Sequence, residues 1–187
     1  FPYLMIALSV FFYPPDQIRA IFFKGKEQVK ETVKALPNYL TVALSLYFLV
    51  QILLPLRHYL FEGDVNFTEE GHRLSWRMML RLKRGSLQVN VEEKETGTIH
   101  KIKLSDYLSR GQSRKVATHP DMLWQFAQRI SKEFANQGKE VRVFADAKVS
   151  VNGHPRMQLV DPEVDLASVP WEHFRHSDWI FTGYQND

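Results

Sequence analysis

Hydrophobic and polar positions change rhythm along this chain, first continuous and then alternating. Residues 35–56 contain no Asp, Glu, Lys, Arg or His. At 1.5 Å per residue that run makes about 33 Å of helix, enough to cross a hydrocarbon core of about 30 Å. Ahead of it, residues 1–13 are apolar throughout but too short to span. They lack the basic leader and the Ala-x-Ala site of a signal peptide, and read as the end of a spanning helix that starts upstream. Residues 14–37 carry Arg19, Lys24, Lys26, Lys30 and Lys34 against Asp16, Glu27 and Glu31. Lysine and arginine near a span mark its cytoplasmic side. The pattern therefore predicts a basic cytoplasmic loop at 14–37, a transmembrane helix at 38–60, and residues 61–187 on the periplasmic or lumenal side. Residues 27–35 suit a short basic helix lying on anionic lipid and a solvated connector equally well.

Beyond Phe61-Glu-Gly-Asp64 the period becomes two. Trp76, Met78, Leu80 and Leu82 share one face of an extended segment, and Ser75, Arg77, Met79, Arg81 and Lys83 share the other. Leu87, Val89 and Val91 continue the alternation, and Thr96-Gly97 turns the chain back into residues 99–104 as a hairpin. The longest alternation, Val141 to Val151, ends at Asn152-Gly153, a strong hairpin turn signal because both residues tolerate positive φ. Met157 to Val160 reads as the returning strand. One helix interrupts the strands. Pro120 marks its start, Leu123, Phe126, Ala127, Ile130 and Phe134 form its stripe, and Gly138 its end. The expected class is α+β: the C-terminal part of a multi-pass α-helical membrane protein, followed by an extracytoplasmic antiparallel sheet of four to six strands with one covering helix.

Composition narrows the chemistry. A net charge of +3, scattered along the chain, does not suggest a nucleic-acid partner, and without cysteine there is no disulfide, thiolate nucleophile or zinc–sulfur site. GxSxG, HExxH and Gly-rich phosphate loops are absent from the sequence.

Residues 68–81 are the richest in functional side chains. Arg77 and Arg81 project from one strand face about 13 Å apart with Met79 between them. Such a face could hold a carboxylate by charge-assisted hydrogen bonds. The competing reading pairs these arginines with Glu92, Glu93 or Glu95 on a solvated face. Trp76 reads as core or as an interfacial anchor. His72 is an acid–base candidate by its near-neutral proton affinity, set against an exposed or structural histidine. His173-Phe-Arg-His176 has the spacing of two metal ligands but lacks an evident third, so no metal is expected. Asp161, Glu163 and Asp165 alternate as in a calcium loop but lack its glycine and distal glutamate, and read as a turn and an edge. Asn66-Phe-Thr68 is a glycosylation sequon that matters only in a eukaryotic host.

Taken together, Leu54-Pro-Leu-Arg-His-Tyr-Leu60, Phe67-Thr-Glu-Glu-Gly71 and Ser75-Trp-Arg-Met-Met79 resemble vitamin K-dependent γ-glutamyl carboxylase and its bacterial homologues with a horizontally transferred transmembrane (HTTM) domain. The resemblance continues in order through His119-Pro-Asp-Met-Leu123, Val149-Ser-Val-Asn152, Asp161-Pro-Glu-Val-Asp165, Trp171 and Phe174-Arg175. It implies an integral membrane enzyme that oxidises vitamin K hydroquinone with O2. The strong base so formed removes the γ-proton of peptidyl glutamate, which then takes up CO2. The partners implied are a glutamate-containing peptide or protein and the lipid bilayer. The resemblance places glutamate binding at residues 71–79, which makes His72, Ser75, Trp76, Arg77, Met79 and Arg81 the substrate-binding candidates. The family's catalytic lysine lies in an upstream helical bundle without a counterpart here, so this part of the protein is expected to be inactive alone. The alternative, from outside the enzymes, is a membrane-anchored module that binds a peptide or lipid.

Overall fold

Proline and asparagine open the long apolar segment as a helix. Pro37 supplies a free carbonyl that accepts from Leu40 N at 2.9 Å and Thr41 N at 3.1 Å. In the computed structural model, which describes residues 3–4, 8–22, 36–75 and 81–184, α2 (Asn38–Leu56) follows from that start. One 3₁₀ turn, Arg57–Leu60, extends it, and Asn38–Leu60 is long and apolar enough to cross a membrane. Pro55 is the one buried residue of α2. A helix apolar on every side yet exposed along its length suits lipid rather than water. The chain divides into two units, Phe1–Val42 and Ala43–Asp187. The first contains a 3₁₀ turn at Ser9–Phe12 and a short helix α1 (Pro15–Phe22) within the expected loop. The lipid-surface helix considered for residues 27–35 lies outside the described residues.

In the second unit the alternating segments form a four-stranded antiparallel sheet in the order β2-β1-β3-β4. The strands are β1 (Lys83–Glu93), β2 (Ile99–Ile102), β3 (Val141–Val151) and β4 (Met157–Gln158). Register follows the apolar face: Leu87 pairs with Ala147, Val89 with Ala145 and Val91 with Val143. Valine opposite alanine leaves room for a helix on that face. Helix α5 (Pro120–Asn136) takes it, burying Leu123, Phe126, Ala127 and Ile130 against the sheet. Pro120 fits the first turn because its missing N–H has no intrahelical partner there. Asn152 (φ 50°) and Gly153 (φ 86°) make the expected tight turn. Asn152 Oδ1 and the Asn152 N–H close its base on the backbone of Leu82. At the far end Glu93 gathers Lys139, His100 and Thr96; those hydrogen bonds hold its carboxyl down to about 2.

Two features differ from the sequence pattern. The alternation from Ser75 predicts a strand, but β1 begins at Lys83 and Ser75 sits in a tight turn; residues 76–80 lie outside the described residues. Between β2 and α5 a further helix, α4 (Arg110–Val116), forms without an apolar stripe. It is fixed instead by a capping box, in which Ser109 Oγ accepts from Gln112 N and Gln112 Oε1 accepts from Ser109 N. Ser109→Ala removes one of these partners and should cost about 1 kcal/mol, read as a small fall in the midpoint of thermal unfolding.

The C-terminal segment returns along the sheet. Leu159 N donates to Ala147 O at 2.8 Å, Phe181 N to Leu159 O at 3.0 Å, and Val160 bridges Ile180. Asp165 Oδ1 accepts from Val143 N and Ala167 N, and Asp161 Oδ1 from Glu163 N. These two carboxylates order turns, as the sequence pattern suggested.

Candidate functional site

The site is built by a run of turns just after the apolar helix. Asp64 caps the one-turn helix α3 (Val65–Thr68) by accepting from Asn66 N. Glu69 ends it in the left-handed region at φ 64°, which costs a residue with a Cβ about 1–2 kcal/mol. That conformation turns the Glu69 side chain inward to two cations. Gly71 follows at φ 65°, where an added Cβ would stand 2.7 Å from His58 Cα. Only glycine lets this loop rest directly on the 3₁₀ turn. His72 O then accepts from both Ser75 N and Ser75 Oγ, at 3.1 and 2.6 Å.

Glu69 is the centre of the floor, its side chain 3% exposed. Its carboxylate takes Arg81 Nε at 2.8 Å and Arg81 Nη2 in a two-point grip, and Lys83 Nζ lies 3.4 Å away. Lys83 also donates to Phe67 O and sits 5.6 Å over the Phe67 ring. Burial lowers the Lys83 amine to about 8 although Glu69 opposes the shift. Arg81 Nη1 lies 3.1 Å from His72 Nε2. A guanidinium can only donate, so that nitrogen accepts. Burial, then the charge of Arg81, lowers the His72 pKa.

His119 stands across from Glu69, immediately before α5. Its Nδ1 is 2.8 Å from Thr118 Oγ1 and 3.2 Å from Lys115 O. With the Thr118 hydroxyl donating to Arg114 O at 2.9 Å, both oxygens can accept, which assigns the ring proton to Nδ1. Nε2 carries the lone pair, 4.0 Å from Glu69 Oε2. Burial, then the charge of Lys83, lowers the imidazole to about 4. His119 is therefore neutral at pH 7. Arg73 closes this end with Nε 2.7 Å from Asp121 Oδ2. Arg57 Nη2 reaches Arg73 O at 3.5 Å, and Arg57 Nε is buried with no partner among the described residues.

Opposite the charged end stand partly exposed aromatic rings. Trp124 and Trp171 lie 6.3 Å apart, Trp171 packs on Trp179 at 5.9 Å, and Trp124 Nε1 donates to Val169 O at 2.8 Å. Glu69, Arg57, Lys115, His119, Met122 and the two tryptophans line one cleft of about 1090 Å³, with Arg81 and Lys83 behind Glu69. Beneath it, Glu70 is fully buried; its carboxylate accepts from His176 Nδ1 at 2.5 Å and Ser177 N at 3.0 Å. Burial raises the Glu70 carboxyl, against those hydrogen bonds.

The structure places two of the sequence candidates, His72 and Ser75, on the cleft wall. Arg81 lies behind them, paired with Glu69 rather than with Glu92, Glu93 or Glu95. Trp76, Arg77 and Met79 lie outside the described residues. Glu69, Arg57, Arg73, Lys115, His119 and Asp121 join the site without having been singled out as binding residues. For His119 the signal was present, a histidine directly before a helix-starting proline within a stretch that carries the family resemblance. His173 and His176 do not converge: His176 is held by Glu70, whereas His173 lines the cleft. Among the described residues no group of three or more His, Cys, Asp or Glu could hold a metal ion.

Fold and cleft thus define an α+β domain that directly follows a membrane-type helix. Residues 36–186 match the family described as vitamin K-dependent gamma-carboxylase, lumenal domain, and the chain belongs to that family. No solved structure matches it significantly.

Proposed function

We propose that this chain is the C-terminal portion of a γ-glutamyl carboxylase-like, multi-pass membrane enzyme, and that its cleft holds the glutamyl side chain of a peptide or protein substrate on the extracytoplasmic side. The observation that carries this reading is the charge balance of the floor. One buried carboxylate, Glu69, is shared by two cations, the partly buried Arg81 and Lys83, whose side chain is buried. Within this trio one positive charge remains in excess, beneath a cleft that Arg57 lines, its own Nε buried without a partner among the described residues. Charge-assisted donors in a poorly hydrated site favour a carboxylate ligand. Arg57 directly follows α2, so the cleft lies where a lipid-soluble reductant and an aqueous peptide would meet. The charged floor does not suit a hydrophobic quinone. In this reading the cleft holds the glutamyl side chain, and reduced vitamin K would supply the base that removes the γ-proton.

A bound carboxylate also acts on His119. An anion within about 4–6 Å favours the imidazolium, so binding takes up a proton and strengthens as pH falls. A glutamyl peptide should bind roughly three- to fivefold tighter at pH 5.5 than at 7.5. His119→Gln should flatten that dependence; calorimetric titration at the two pH values checks it.

The activity itself is tested by incorporation of labelled CO2 into a glutamyl peptide by the complete protein with reduced vitamin K. Incorporation is expected. No incorporation by folded, quinone-binding protein would remove the carboxylase reading and leave a membrane-anchored binding module.

A further inference from the structure

The cleft is larger than its acid-binding end requires. At about 1090 Å³ it exceeds the roughly 300–1,000 Å³ of pockets that enclose whole small molecules. Its second end is aromatic, and the rings there are held rather than loose. Trp124 is pinned through Nε1 to Val169 O, and Trp171 is packed against the buried Trp179. Both are half-buried rather than sealed in the core. Rigid aromatic surface of this kind offers contact area at low entropic cost.

One helix contributes a residue to each end. Asp121, which holds Arg73, and Trp124 are three residues apart on α5 and share a face, separated by about one turn or 5 Å. In an extended peptide, side chains point the same way every second residue, about 6.6 Å apart. Resting on the reading that the charged end holds a glutamyl carboxylate, we propose that the Trp124–Trp171 end is a specificity subsite. It takes an aromatic or large aliphatic side chain two residues from the target glutamate.

The test uses the chain in lipid nanodiscs and capped pentapeptides with a central glutamate in a glycine background, with empty discs subtracted. Phenylalanine or serine is placed two residues before or two residues after the glutamate, and each peptide has a central-glutamine control. The phenylalanine peptide in the productive direction should bind about tenfold tighter than its serine counterpart. Trp124→Leu should reduce that ratio to about twofold or less, whereas Trp124→Phe should keep most of it. Equal affinity of phenylalanine and serine peptides for the wild-type chain, in both directions, overturns the subsite. So does an undiminished ratio in folded Trp124→Leu. If that variant does not fold, the wild-type ratio and Trp124→Phe decide. A preference for glutamate over glutamine without a phenylalanine effect sinks the subsite alone; equal binding of glutamate and glutamine peptides sinks the acid-binding reading beneath it.

Discussion

Glu69→Gln will destabilise the second unit by about 3–5 kcal/mol, the cost of breaking a buried ion pair from one side. The carboxylate has three charged contacts in a site where its side chain is 3% exposed: Arg81 through two nitrogens, and Lys83. Glutamine has nearly the same shape, so packing is preserved and the loss is electrostatic. Two cations then remain against Phe67 O and His72, neither of which carries a negative charge. The left-handed turn at Glu69, itself unfavourable for a residue with a Cβ, loses the ion pairs that offset it. Chemical denaturation of the wild type and the variant measures the difference. Adding Lys83→Met should recover part of the loss, because replacing both members of a buried pair is far less costly than removing one. A Glu69→Gln variant as stable as the wild type would show that the floor is hydrated and not the low-dielectric site described.

Glu70→Leu is the second large effect, about 2–4 kcal/mol. Glu70 has no exposed surface and ties the floor loop to the C-terminal segment through His176 and Ser177 N. Leucine fills similar space but leaves a buried N–H and an imidazole without their acceptor. The consequence extends beyond stability. Gly71 and His72 follow Glu70 in the floor loop, while Trp171 and His173 lie just ahead of His176 on the opposite wall. Losing the tie should loosen one wall against the other, so backbone amides at 171–179 should exchange hydrogen faster in the variant. Unchanged exchange there, with stability lost, would make Glu70 a local core contact and no more.

How much of this was legible in the sequence depends on the range over which each feature is specified. The sheet was readable because alternation is local: Val89 and Val91 on β1 and Val143 to Val151 on β3 announce a buried face without reference to a partner. Asn152-Gly153 and the stripe on α5 were readable for the same reason. Helix α4 was missed because it has no stripe, although Ser109 and Gln112 stand at capping-box spacing. The site was harder. His72, an acid–base candidate by residue type, and Ser75 became substrate-binding candidates only through the family resemblance; the match over residues 36–186 bears out the family. Arg81 was noticed as a carboxylate binder, but its partner lies 12 positions back, behind a left-handed turn at Glu69 that no local preference predicts. Glu70 and His176 are 106 positions apart, and nothing near either residue signals the other. Long-range burial of charge decides such pairs, and a one-dimensional pattern does not carry it.

Preference for a carboxylate is the central property of this cleft. The most direct measurement is the affinity of the folded chain for one peptide carrying glutamate, against the same peptide carrying glutamine at that position. The excess cation of the floor and the Arg57 guanidinium on the cleft wall predict binding at least about tenfold tighter for glutamate, weakening as salt is added. Equal affinities for the two peptides, at low salt and with the protein fully folded, would contradict it.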